Sequence, residues 1–380
     1  MDDGRTLATT RAGTPVRGPQ GRQHNLALVL RLLHAGGPTT RAKLARGTGL
    51  TRPTVSDLIA ELIDLGYVVE LGLEQLSRPG KPATLVDLNR RGRTVLALDL
   101  TAHEVVRAAV LDLDGTVVAR AEHHIDRDEQ SVDVAVVLEL AREALAKAPA
   151  PVIGIGVGSP GLVTDDGVVT TATNLGWSGV PLGDLLAQET GLPVRVVNDA
   201  DAAVHAEHVL GEGADDLMLV RIGRGVGAGL IVNGQLLRGA HGAAGEIGHV
   251  TVGTDGGRTC RCGRDGCLET WVSAPRLEAT LAGLHGAAAI DALSVAGERL
   301  GIALAPIVAA LDLQEVVLNG PEHLVSGALI DATERTLRDR VMTRSTRDLV
   351  VRLALDGDDI VLRGAAARIV TEIFDLIAST

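Results

Sequence analysis

The run Leu217-Met218-Leu219-Val220-Arg221-Ile222-Gly223-Arg224-Gly225-Val226-Gly227-Ala228-Gly229-Leu230 decides how this 380-residue chain folds. Its first six residues read as a strand, and the run opens a hairpin-rich set of strands. An earlier set lies upstream, with strands predicted over 94–100, 105–113 and 116–121 and a turn at Asp112-Leu113-Asp114-Gly115 between the last two. A helix over 131–147 and a buried strand over 152–157 complete that first half. Downstream of the quoted run, helices dominate up to a strand at 315–318 and a closing helix over 361–377. Residues 94–380 therefore read as two similar α/β halves facing a cleft.

The preceding segment has a different pattern. Residues 1–21 carry Gly4, Gly13, Pro15, Gly18, Pro19 and Gly21 and are expected to be a disordered tail. Residues 22–90 read as a winged helix-turn-helix. A first helix places Leu26, Val29, Leu30 and Leu33 on one face and ends at Gly36-Gly37-Pro38. A second runs from the cap Thr39-Thr40 through Leu44 and Ala45 to Gly47-Thr48-Gly49. A third takes Thr51 as its cap and Pro53 in its first turn, buries Val55, Leu58, Ile59, Leu62 and Ile63, and stops at Gly66. Strands at 67–71 and 83–88 follow, joined by a loop carrying Arg78 and Lys81. Burying the third helix's apolar stripe leaves Arg52, Thr54 and Ser56 exposed at its start, side chains suited to base edges and phosphates in a major groove. Arg78 and Lys81 would then meet the DNA backbone or minor groove from the wing tip. A three-helix protein-binding module is the alternative reading of the same pattern.

Charge divides the chain at the same place. Residues 1–95 hold 14 Lys+Arg against 8 Asp+Glu, a balance of +6, which leaves −18 for the remainder of a chain of net charge −12. A basic head on an acidic body suits a polyanion-binding module joined to one that must not bind polyanions. Aromatic residues (Trp177, Trp271, Tyr67 and Phe374) are too few to stack single-stranded nucleic acid. No apolar run approaches the roughly eighteen residues of a membrane helix, so no membrane partner is expected. Reduced thiols and the lack of a hydrophobic leader point to the cytoplasm.

All 3 cysteines fall within Cys260-Arg261-Cys262-Gly263-Arg264-Asp265-Gly266-Cys267, just after His249. Three thiols and one imidazole make a closed set of the kind that holds a structural zinc ion, with His249, Cys260, Cys262 and Cys267 as ligands in a motif spanning 249–267. A disulfide would leave one thiol over, and Cys260 and Cys262 are too close to bridge comfortably. Gly263 and Gly266 would let the chain wrap the ion.

The glycine run, followed by Gly239 and then Gly245-Glu246-Ile247-Gly248-His249, resembles the signature of the ROK family (repressors, open reading frames and sugar kinases). Ser159-Pro160-Gly161-Leu162-Val163, Thr173-Asn174-Leu175-Gly176-Trp177, Val197-Asn198-Asp199-Ala200 and the cysteine run ending in Leu268-Glu269 match further family segments. The resemblance covers about 94–380 and, with the winged head, extends to the family's transcriptional repressors. It implies an α/β chain in which a winged helix-turn-helix precedes a two-lobed actin-like, ribonuclease-H-like sugar kinase fold. It also implies that Asn174, Asn198, Asp199, Glu246, His249 and Glu269 form a sugar site, amides and carboxylates being able to grip neighbouring hydroxyls in pairs. Taken singly, each of these residues reads as a cap or surface group, as Asn-Asp pairs usually do. In kinase members the position of Asp199 is the general base.

The nucleotide side departs from the family pattern. Kinase members carry an Asp-x-Gly-Gly-Thr loop where this chain has Asp99-Leu100-Thr101-Ala102-His103. Arg224 replaces the usual threonine of the second phosphate loop, and the adenosine-side glycine pair appears as Asn319-Gly320. The expectation is a sugar sensor and not an enzyme, with Asp199 a vestigial base. It would be a homodimer or dimer of dimers that binds a palindromic duplex operator and is released by a sugar or sugar phosphate. The alternative is an ATP-dependent sugar kinase with an appended DNA-binding domain.

Overall fold

Two five-stranded sheets with the same internal strand order form the body of the molecule. The computed structural model describes residues 19–74, 83–101, 105–125, 131–252, 257–342 and 347–377. In the first lobe the strands are β4 (Thr94–Asp99), β5 (Val105–Asp112), β6 (Val117–His124), β7 (Val152–Ser159) and β11 (Val194–Asn198). They run in the order β11-β7-β4-β5-β6, with β4, β5 and β6 an antiparallel meander and β7 and β11 parallel to β4. In the second lobe β12 (Leu217–Ile222), β13 (Val226–Val232), β14 (Gln235–Leu236), β15 (Glu315–Asn319) and β16 (Val350–Leu353) repeat that arrangement as β14-β13-β12-β15-β16. This is the expected pair of α/β halves, and it places a cleft at the carboxyl ends of the parallel strands.

The meander turns follow from short polar side chains. Asp112 accepts from the amides of Asp114 and Thr116 at 3.0 and 2.9 Å, and Gly115 takes the left-handed conformation at φ 76°. β4 is buried along its whole length, as a central strand covered on both faces must be. A small third sheet, β8 (Leu162–Val163), β9 (Val169–Ala172) and β10 (Trp177–Val180), caps the first lobe. The Trp177 indole donates to Val132 O at 2.6 Å there. α4 (Val134–Ala146) and α5 (Leu182–Thr190) cover the same lobe.

Two helices cross between the lobes. α6 (Asp199–Val209) leaves β11 and packs on β12 and β13 of the second sheet. The closing helix, α12 (Ile360–Ile377), returns to pack on β4 and β7 of the first. They also pack on each other, and small residues set the spacing. A Cβ on Gly364 would stand 1.8 Å from Ala202 O, and one on Gly156 2.1 Å from Ala365 O. Ion pairs fix both helices, with Arg352 reaching Glu207 of α6 at 2.8 Å and Arg195 reaching Glu372 of α12 at 2.8 Å.

The second lobe also holds α7 (Glu269–Val272), α8 (Ala274–Leu281), α9 (Ala287–Leu311), α10 (Glu322–Val325) and α11 (Ala328–Arg340). α9 corrects one expectation. At 25 residues it is long and apolar enough to cross a membrane by length and composition. Gly297, Leu300, Gly301, Leu304 and Val308 are nevertheless buried, and α11 packs along the helix, so α9 is the core helix of this lobe.

The head is a winged helix-turn-helix of α1 (Pro19–Gly36), β1 (Thr39–Thr40), α2 (Arg41–Thr48), α3 (Arg52–Asp64), β2 (Val68–Leu73) and β3 (Thr84–Leu88). Thr40 and Thr51 cap α2 and α3, each accepting a backbone N–H at 3.3 Å. Gly49 and Gly66 end these helices at φ 70° and 77°. Residues 19–21 of the expected tail belong to α1, which begins at Pro19, a residue whose fixed φ suits a first helical turn. Residues 1–18 and the wing-tip residues Arg78 and Lys81 lie outside the described residues.

The head shares a core with the first lobe. Leu26, Leu30, Leu33 and Leu62 belong to one apolar cluster with Val95, Leu111, Leu113, Ile369 and Phe374. The His34 ring meets Phe374 edge-on at 6.0 Å and bonds Leu113 O at 2.9 Å. Arg90 ties the junction by pairing with Asp87 and Asp114 and donating to Leu33 O at 3.1 Å.

Candidate functional site

β11 ends at Asn198 and α6 begins at Asp199, so the helix start projects both residues at the carboxyl end of the first sheet. Asn198 caps α6, with Oδ1 accepting from Ala200 and Asp201 at 2.8 and 3.3 Å. Its Nδ2 donates to Gly161 O at 2.9 Å. The ordinary capping role of an Asn-Asp pair therefore holds for Asn198, which sets the path of the chain into α6.

Asp199 is paired with Arg221 of β12, whose Nε donates to Oδ2 at 2.8 Å. Burial nevertheless holds its carboxyl above the usual carboxylate range; Arg221 opposes that shift and Asp99 adds to it. Asp201, two residues further along α6, is pushed up to about 7 by burial against the opposing influence of Arg238. Glu246 is raised by burial and by the neighbouring Asp199 and Glu269, while His249 lowers it. These mutual influences place Asp199, Glu246, Glu269 and His249 in one carboxylate-rich group. Asn174 stands in the turn between β9 and β10, half-buried, with no side-chain hydrogen bond among the described residues.

The loop carrying Glu246 is shaped by contact. Gly245 has φ 89°, and a Cβ there would lie 1.7 Å from Ala228 O. A Cβ on Gly248 would lie 2.2 Å from Val226 O. Ala228 N donates to Gly245 O at 2.9 Å, so the Gly-Glu-Ile-Gly-His turn lies directly on β13. Glu269 opens α7 and accepts from Val226 N at 3.3 Å, which anchors its carboxylate to the same strand.

His249, Cys260, Cys262 and Cys267 converge, all their ligand atoms within 4.8 Å of one another. Cys260 Sγ is 3.6 Å from His249 Nδ1, and Cys262 Sγ is 3.6 Å from Cys267 Sγ. A tetrahedral zinc ion with bonds of about 2.0–2.3 Å requires ligand–ligand edges of about 3.5–3.8 Å, which these two separations meet, and the Cys₃His donor set fits that group in chemistry. Backbone pairing of Thr251 with Cys267 and of Thr259 with Asp265 holds the ends of the loop. The thiols are unequally poised. Burial pushes Cys267 up to about 12, and the Arg264 amide brings Cys262 down to about 7.

On the opposite rim, Asp99 is buried and accepts from the amide and hydroxyl of Thr101 at 2.9 and 2.5 Å. Ala102 and His103 lie outside the described residues. Arg224 is half-buried beside Arg261, and both burial and that neighbour lower its pKa. Arg221, absent from the sequence-predicted set, donates to Asp199, to Thr101 Oγ1 at 2.5 Å and to Asn319 Oδ1 at 3.3 Å. Its signal was one cation in an otherwise apolar strand run.

In the head, α3 presents Arg52 and Ser56 exposed on its first turns. Thr54 is half-buried, its hydroxyl 2.8 Å from that of Thr51.

Comparison with known proteins bears on both parts. A sequence model of the ROK family matches residues 95–372, and one of the MarR family matches residues 25–72. The xylose repressor of Bacillus subtilis (strain 168) is 29% identical over 77% of this chain and 81% of its own length. The glucokinase of Halalkalibacterium halodurans is 32% identical over 67% of this chain and 88% of its own. Among solved structures, a ROK family transcriptional regulator, a homolog of the E. coli MLC protein, superposes with a TM-score of 0.82. That match has 24% identity and covers 94% of this chain and 99% of the other.

Proposed function

The chain belongs to the ROK family, and from that premise we propose that it is a sugar-responsive transcriptional repressor of carbohydrate-utilisation genes. The observation that carries the reading is the joining of two sites through continuous apolar packing. A MarR-like winged head with an exposed recognition-helix face shares apolar packing with α12, and α12 packs against the helix that Asp199 opens. In this reading Arg52, Thr54 and Ser56 meet base edges and phosphates of a duplex operator, with Arg78 and Lys81 at the wing. A palindromic operator read by a homodimer fits the family, and a cytoplasmic setting fits a DNA-binding protein.

Asn174, Asp199, Glu246 and Glu269 offer amide and carboxylate acceptors to sugar hydroxyls, while Asn198 holds the start of α6 and His249 the Glu246 turn. A sugar gripped at Asp199 loads the first turn of α6. α6 is locked to the second lobe through Glu207 and pressed against α12, so the load reaches Phe374 and the His34 ring of the head. A coupling of about 1–3 kcal/mol is enough to shift operator affinity 5- to 150-fold. His249, Cys260, Cys262 and Cys267 would hold a zinc ion, which supplies a cross-link between the Glu246 turn and the start of α7. The chain's own contribution there is to aim Glu246 and Glu269 into the cleft.

The test is operator binding by fluorescence anisotropy, using a duplex recovered by selection from a random pool, with neutral aldoses from D-xylose onward titrated in. Release of the duplex by one aldose supports the reading, and indifference to every aldose and aldose phosphate refutes it. The kinase reading is favoured by the retention of Asp199 and by the glucokinase relative. A coupled ADP-release assay across the same aldoses separates the two.

A further inference from the structure

β12 is apolar except at Arg221, and that guanidinium reaches three separate strand ends. Nε donates to Asp199 at the start of α6, Nη2 to Thr101 beyond β4, and Nη1 to Asn319 at the end of β15. The Thr101 hydroxyl donates in turn to Asp99 Oδ1, so the donors and acceptors form one connected chain. By the family resemblance, those three ends would hold the base, the first phosphate loop and the adenosine-side loop.

We propose that Arg221 is a built-in occupant of the donor side of the cleft: its guanidinium keeps Asp199 an anion available to a sugar hydroxyl and fills the space between Thr101 and Asn319 that a phosphoryl donor would need. The proposal rests on the reading of Asp199 as a sugar-facing group. Arg221 acts through Asp199 and is therefore a positioning residue.

Geometry and charge both support it. A guanidinium is a rigid planar fork, so three donors aimed at three acceptors are fixed together, which an ammonium on a flexible stem cannot reproduce. The carboxylates facing Asp199 are Asp99 on β4, Glu246 on the Gly-Glu turn and Asp201 on α6 itself, and Arg221 is the cation that bonds it. Arg238 and Arg368 act on Asp201. Burial already raises the Asp199 carboxyl with Arg221 in place. Without that cation the carboxyl gains a proton more readily, and as an acid it is a poorer acceptor for a hydroxyl.

The experiment uses the full-length protein, Arg221→Ala, Arg221→Lys, Asp199→Asn and the Arg221→Ala/Asp199→Asn double variant. Melting temperature is followed from about pH 5 to pH 8 without sugar. A carboxyl raised in the folded state stabilises at low pH and loses that contribution as pH rises. Arg221→Ala should therefore fall further below wild type as pH increases. Asp199→Asn in that background should remove the widening, and Arg221→Lys should reduce it. A gap that does not change with pH, or that Asp199→Asn leaves intact, overturns the proposal.

Magnesium with a non-hydrolysable ATP analogue should leave the wild-type melting temperature unchanged; a rise overturns occupancy of the donor side. With an aldose that binds wild type, Arg221→Ala should weaken binding more than tenfold, and more so at the acid end of the range; wild-type affinity in that variant overturns the proposal. If no aldose binds wild type while the pH and nucleotide results hold, the sugar reading fails and the occupancy of the donor side by Arg221 stands.

Discussion

The two rims of the cleft are built differently although the sheets beneath them have the same strand order. On the Glu246 rim the glycines are demanded by contact. Gly245 and Gly248 lie so close to β13 that a single Cβ would enter a backbone carbonyl. On the donor rim Gly320 is held the same way, a built Cβ lying 2.5 Å from Ile222 O, but in the glycine loop Gly223 meets nothing within 4 Å and the position between it and Gly225 carries Arg224. The difference teaches that a backbone held against its own sheet keeps its shape with no ligand bound. A loop shaped only to receive a ligand has no such internal reason to remain.

The comparison predicts its own largest asymmetry. Gly245→Ala should cost about 3 kcal/mol or more, from a positive φ combined with a backbone clash. Gly223→Ala should cost less than about 1 kcal/mol. Chemical denaturation of the two variants measures both, and equal costs would erase the distinction between the rims. Next comes the Cys₃His cluster under the Glu246 rim. Cys267→Ser should take metal content, read by elemental analysis, from one zinc per chain to none and lower the melting temperature by about 5 °C or more. Its operator affinity in the absence of sugar should stay within about twofold of wild type.

A reciprocal pair sharpens the contrast between cleft and head. Arg52→Ala should weaken operator binding by about 1–3 kcal/mol and leave sugar affinity unchanged. Glu246→Gln should do the opposite, weakening sugar binding about tenfold, or roughly 1.4 kcal/mol, with operator affinity intact. Isothermal titration and anisotropy on the same preparations decide it, and a variant that damaged both readouts would argue against separate sites.

The smallest effect concerns Asp201. Its carboxyl is raised in the folded protein from 3.8 to about 7 by burial, so it stabilises fully below the lower value and that contribution is lost as pH rises through about 7. Asp201→Asn should flatten the fall of melting temperature across that window. A slope unchanged from wild type would show that Asp201 is not the group responsible.

Much of this was legible in the chain because the signals were local. Caps at Thr40 and Thr51, the stripe from Val55 to Leu62, and stops at Gly49 and Gly66 are set by neighbours three or four residues apart. The cysteine cluster was legible for the same reason, since three of its four members share one loop. The donor rim was harder. Arg221 reads as one polar residue in a strand until β4, α6 and β15 bring Thr101, Asp199 and Asn319 to it from positions far apart in the chain. The joining of head and body was equally hidden, because His34 and Phe374 lie at opposite ends of the sequence. α9 is a different case. Small apolar residues that let α11 pack closely against it also make a membrane-like composition.

The central claim is that a sugar in this cleft moves the head without being phosphorylated. Its most direct test follows operator anisotropy and ADP release together, in one cuvette holding the full-length protein, the selected duplex, magnesium ATP and the aldose. The account predicts that the duplex dissociates as aldose is added while ADP stays at the level of the sugar-free control. Sustained ADP production with the duplex still bound would contradict it.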